Sequence, residues 1–227
     1  MTLLNPSFKK LFFKDILRNS FSYLLQNIFG FLIVLIIFFL KGPEHLGIFS
    51  QLYALMVIFG QLCTFGINDY VLKNTASASN DQDRKNILSN SLQNLIIILI
   101  FCFFLFLIFV DYIGYYFNSN YLSENLRFFP ILIIIFTINK IFFSYLNGSR
   151  RFKEFAFFNA LRPAIILINL IIFIKLKYSL GNIIYLFLIT EILLLIILFS
   201  KIKLNLINFK KNKFFLPFIF GKKVFVN

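Results

Sequence analysis

Lys140, Arg162 and Glu191 are ionisable side chains set inside long apolar stretches of this 227-residue chain. In hydrocarbon, such a residue turns toward other helices or a water-filled cavity, and it is a functional candidate by default. Lys140 stands six residues before the end of one apolar stretch, and Arg162 stands seven residues after the start of the next. Both therefore sit roughly 9 to 10 Å below the same surface. Two cations at matching depth can receive an anionic headgroup such as a phosphate or diphosphate. The alternative is that their long stems carry the charges up to the interface. Glu191, near the middle of the last apolar stretch, either neutralises one of these cations or serves as a proton or cation site. An unpaired buried charge is costly, which favours the ion pair.

Uncharged polar residues add two faces. Asn19, Ser22, Gln26 and Gly30 recur with helical spacing in the first stretch. Gly47, Gln51, Ala54, Gln61 and Asn68 share an arc of about 100° in the second. These faces either pack together through interhelical hydrogen bonds or line a cavity, with Gln26, Gln51, Gln61 and Asn68 as the lining residues. Pro163, directly after Arg162, removes a backbone donor and favours a bend.

The elements that must position these groups are six apolar spans at 21–40, 47–66, 92–110, 128–146, 155–174 and 180–199. Each has the roughly 20 residues that a hydrocarbon core of about 30 Å requires. They are apolar nearly all round, whereas a soluble core helix keeps a polar opposite face. The predicted fold is therefore all-α, a polytopic six-helix bundle over residues 1–200, followed by a basic tail at 201–227. Lys and Arg number 17 on one set of connections and 4 on the other. That asymmetry predicts a multi-pass membrane protein with both termini in the cytoplasm. It also accounts for the net charge of +14, so nucleic acid is not an expected partner. The first span is long enough to remain as an anchor rather than be removed as a signal peptide.

The residues that enzymes use are scarce, with 9 acidic side chains and one His in the whole chain. His45 stands in a short turn at 41–46 without a second His or a neighbouring nucleophile. Asp81 and Asp83 belong to a polar stretch, 75–86, that reads as a solvated loop. Cys63 and Cys102 lie in apolar spans without metal-ligand spacing and read as buried reduced thiols. There is no Gly-rich phosphate loop and no nucleophile elbow. No catalytic residue, metal or cofactor is implied, and the chain does not read as an enzyme. Tyr112, Tyr115, Tyr116 and Tyr121 cluster outside the third span, where amphipathic rings suit the headgroup level.

The run Lys41-Gly42-Pro43-Glu44-His45-Leu46-Gly47-Ile48-Phe49-Ser50 resembles a turn of the polysaccharide exporters. These are the lipid-linked oligosaccharide flippases related to multidrug and toxic-compound extrusion transporters. Arg18-Asn19-Ser20, Phe65-Gly66-Ile67-Asn68, Asn147-Gly148-Ser149-Arg150-Arg151-Phe152 and Asn159-Ala160-Leu161-Arg162 are similar to that family at corresponding places. The resemblance implies one lobe of a two-lobed transporter that moves an undecaprenyl-diphosphate-linked oligosaccharide by alternating access, with membrane lipids around it. It further implies cations in a central cavity, for which Arg18, Lys140 and Arg162 are the candidates by chemistry. Such transporters carry two lobes of six spans, and this chain has six spans. Phe214-Phe215-Leu216-Pro217-Phe218 looks like the opening of a seventh. The expected partner is then a second lobe or a second copy in a parallel homodimer. A non-transporting membrane subunit, an inactive fragment, or a drug or cation extruder dependent on Glu191 stand as alternatives.

Overall fold

The computed structural model describes residues 6–116, 120–177, 179 and 182–202. Regular structure among the described residues is entirely helical: α1 (Pro6–Lys41), α2 (Pro43–Thr64), α3 (Ile67–Ser77), α4 (Asp81–Tyr116), α5 (Asn120–Leu126), α6 (Phe129–Gly148), α7 (Phe152–Lys175) and α8 (Ile183–Ile202). Six of these are long and apolar enough to cross a membrane: Phe13–Lys41, Pro43–Thr64, Asp81–Phe109, Phe129–Gly148, Phe152–Lys175 and Ile183–Ile202. The chain is a polytopic all-α membrane protein. Of the predicted basic tail, Lys201 and Ile202 close α8 and the rest lies outside the described residues. The same holds for the start of the sixth predicted span, at Leu180, and for the side chain of Tyr121. Tyr112, Tyr115 and Tyr116 are exposed at the end of α4.

Two connections differ from the sequence expectation. The turn expected at 41–46 is a single residue, Gly42, at φ 91°, a left-handed value that a side chain would oppose. Pro43 then opens α2, where its fixed φ suits the first helical position and its missing N–H costs nothing. His45 is consequently helical, with Nδ1 2.8 Å from the Lys41 carbonyl. The solvated loop expected at 75–86 is also helical apart from residues 78–80. Thr75 is buried and donates to the Val71 carbonyl at 2.5 Å, while the Asn80 side chain accepts the Asp83 N–H at 2.7 Å and starts α4. Apart from half-buried Ala78, residues 76–83 are exposed, so the stretch is solvated as expected although mostly helical.

α2 and α3 are separated by Phe65 and Gly66, both left-handed at φ 45° and 73°. This break takes Asn68 out of helical phase with Gln51 and Gln61, so the single arc expected from the sequence does not form. The centre of the bundle is α6, whose apolar window is 61% buried against 11% for α1. α2, α3, α4 and α8 surround α6, and α1 lies outside against α7. Phe59 of α2, Phe106 of α4 and Phe129 of α6 meet edge to face, with centroids 4.7 to 5.9 Å apart. Small residues admit two close approaches. Gly60 faces the Phe136 ring, and a Cβ on Gly148 would stand 2.6 Å from the Leu72 carbonyl. Asn125 of α5 accepts the Ile184 N–H at 2.9 Å, which satisfies a donor at the start of α8.

Candidate functional site

Arg162 enters the bundle from α7, one residue before Pro163, and Glu191 approaches from α8. The guanidinium Nη2 donates to Glu191 Oε2 at 3.2 Å. Its Nε lies 2.9 Å from Oε1 in an ion-pair contact, outside hydrogen-bond geometry. Asn139 of α6 donates to Oε2 at 2.8 Å and to the Glu191 backbone carbonyl at 2.9 Å. Glu191 is almost fully buried, at 2% side-chain exposure, while Arg162 keeps 23%. The carboxylate is therefore fixed and the cation is the reachable half of the pair. The Phe136 and Phe143 rings flank the guanidinium at 5.0 and 4.9 Å, a cation–π geometry for a planar cation. A charged side chain costs roughly 2.5 to 3.5 kcal/mol at the bilayer centre on insertion scales, and the carboxylate, amide and two rings offset that cost here.

Lys140, next to Asn139, points to a different neighbour. Its ammonium donates to the Gln61 side chain of α2. Asp69 of α3 attracts it and Arg162 repels it. Asn68 donates to Asp69 at 3.1 Å and so supports that carboxylate from the adjacent position. Gln51 is half-buried elsewhere on α2.

The polar face of α1 packs on α7, not on the α2 polar face as the sequence allowed. Ser22 donates to the Ala156 carbonyl at 2.7 Å, and Gln26 accepts from Asn159 at 3.0 Å. Pro163 lacks the N–H that would otherwise bond the Asn159 carbonyl. Beside this contact, α1, α2 and α7 enclose a cavity of about 350 Å³ whose polar lining is Gln26, Asn27, Tyr53 and Arg162. Arg18 does not reach it. Arg18 lies 3.5 Å from Asp15 and lines a second cavity between α1 and α7, together with Lys153. The three cations singled out by chemistry thus stand in three local settings.

Asn139, Asn159, Asn27, Phe136 and Phe143 complete the network and were not singled out as site residues. An amide inside an apolar span is the signal for the three Asn residues. For the two Phe residues no signal existed, because 35 Phe residues are spread through the chain. Cys63 and Cys102 are free, Cys63 buried on α2 and Cys102 half-buried on α4. Among the described residues, no three His, Cys, Asp or Glu side chains gather so as to hold a metal ion.

A family model described as polysaccharide biosynthesis protein matches residues 12–227. The chain belongs to this family. Its role lies in polysaccharide biosynthesis, carried out by a multi-pass membrane protein with six apolar helices. No match was found among curated proteins or among solved structures. Within this polysaccharide biosynthesis protein, the Arg162 setting combines a cation, a fixed counter-charge and adjoining space.

Proposed function

We propose that this protein moves an undecaprenyl-diphosphate-linked oligosaccharide across a bacterial inner membrane, as one lobe of a flippase and not as an enzyme. The observation that carries the reading is Arg162, neutralised from behind by a fixed Glu191 and open in front to the cavity shared with Gln26 and Asn27. A diphosphate offers the guanidinium a second planar acceptor set, and the neighbouring amides suit sugar hydroxyls. Glu191 keeps the empty site neutral, so the cation is tolerated in the membrane between transport events. Lys140 adds positive potential from α6, while the Asp69 carboxylate limits it. The basic asymmetry of the connections orients both termini to the cytoplasm. A second lobe, or a second parallel copy of this one, supplies the opposing wall needed for alternating access.

A reading as a drug or cation extruder rests on the depth of Glu191, the buried member of the pair. Surface polysaccharide in a deletion strain carrying Arg162→Gln, Lys140→Gln or Glu191→Gln separates the two, with membrane protein levels measured in parallel. The flippase reading expects Arg162→Gln to lower export far beyond any fall in its membrane protein level. Export that survives Arg162→Gln and Lys140→Gln but fails with Glu191→Gln supports coupling through the carboxylate. Export unaffected by all three supports a non-transporting subunit.

A further inference from the structure

The second cavity, about 430 Å³ between α1 and α7, has a charge and shape that the Arg162 site does not use. One end carries Arg18 and Lys153. Among the described residues, Arg18 has only Asp15 paired with it, at 3.5 Å. The acid adjoining Lys153 in sequence, Glu154, is committed to Arg151 at 2.5 and 3.0 Å. Among the described residues, this mouth therefore has two cations set against one partly exposed carboxylate. Away from the mouth the lining is apolar. Phe21, Leu25 and Phe29 recur at four-residue intervals on α1, opposite Ala156, Ala160 and Ala164 at the same interval on α7. The ladder extends roughly 12 Å along the helices, and the alanines, with one methyl each, leave the space between Phe21, Leu25 and Phe29 unfilled. Phe21 and Phe157 at its rim are 61% and 59% exposed, so the groove is open sideways.

We infer that this groove binds an anionic glycerophospholipid, with its phosphate between Arg18 and Lys153 and one acyl chain laid along the alanine ladder. Basic pockets between membrane helices at the interface take anionic headgroups, and each Lys or Arg near the surface adds attraction. A neutral lipid would fill the apolar part equally well, so the two cations are what select the occupant. The bond from Ser22 to the Ala156 carbonyl sets the spacing of α1 and α7 at the mouth, and a bound chain would extend that contact inward. This site is separate from the oligosaccharide reading and stands or falls independently of it.

The test is native mass spectrometry of the full chain released from bilayer nanodiscs of equal phosphatidylglycerol and phosphatidylcholine. The unmodified protein should retain phosphatidylglycerol in preference. Arg18→Gln with Lys153→Gln should lower that preference about thirtyfold. Phosphatidylglycerol with a photoactivatable acyl chain should crosslink the unmodified protein within 21–29 and 156–164. That second measurement does not depend on the variant folding. Equal retention of both lipids by the unmodified protein overturns the inference, as does crosslinking confined to other helices. Retention of a single-chain polyprenyl phosphate in place of phosphatidylglycerol, when both are supplied, overturns the assigned occupant.

Discussion

Arg162 on α7 and Glu191 on α8 form the ion pair at the heart of the bundle, 2.9 Å apart, with Asn139 of α6 donating to the same carboxylate at 2.8 Å. Three helices therefore meet through one charged group. A buried pair of this kind is weak as a source of stability but severe when half of it is lost, because the survivor stays buried and uncompensated. Arg162→Met, which leaves the Glu191 carboxylate buried without its counter-charge, is expected to cost about 3 to 5 kcal/mol. Arg162→Met combined with Glu191→Leu should restore most of that loss. Thermal unfolding in detergent micelles measures both, and an additive double variant would show that the pair does not couple the helices.

Arg162→Lys separates charge from shape. A lysine keeps the positive charge but loses the planar fork and its stacking between Phe136 and Phe143. Export is expected to fall at least about tenfold, the equivalent of about 1.4 kcal/mol, while the protein remains folded. Polysaccharide export scored against membrane protein level checks this, and full activity in the lysine variant would show that charge alone suffices.

Gly148→Ala should destabilise the bundle by about 1 to 3 kcal/mol, because the added Cβ would stand 2.6 Å from the Leu72 carbonyl, and backbone cannot step aside cheaply. Gly30→Ala meets nothing within 4 Å and is the matched control. Melting temperatures of the two variants, measured side by side, should differ in that order.

Arg150 lies between α6 and α7 at φ 60°, a left-handed conformation that costs a non-glycine residue roughly 1 kcal/mol. Arg150→Gly is expected to raise the melting temperature slightly. A fall would mean that the Arg150 side chain makes contacts that outweigh its backbone cost.

Asn80→Ala removes the side-chain acceptor for the Asp83 N–H and should cost about 1 kcal/mol. The loss should be local, so hydrogen exchange at the first turn of α4 is the sensitive measurement, with faster exchange there and little change in α6.

The six spans and their order were legible in the sequence, because a bilayer demands about 20 apolar residues per crossing whatever the helix packs against. The deep positions of Arg162 and Glu191 were equally visible, since an ionisable residue in an apolar run needs no alignment to be noticed. Their pairing was not. Glu191 was at comparable liberty to meet Lys140, and sequence spacing carries no information about which helix rotates toward which. The same applies to the α1 polar face, which the fold sets against α7 through Ser22 and Gln26 rather than against α2. The Phe65–Gly66 break that withdraws Asn68 was also hidden, because helical phase extrapolated from residue 47 assumes an unbroken helix. Hydrophobicity, local and one-dimensional, set the number and order of the membrane spans. Close packing at Gly60 and Gly148, the need to pair a buried carboxylate, and left-handed turns between helices decided which polar groups meet. These are contacts between distant parts of the chain, and they exist only once it is folded.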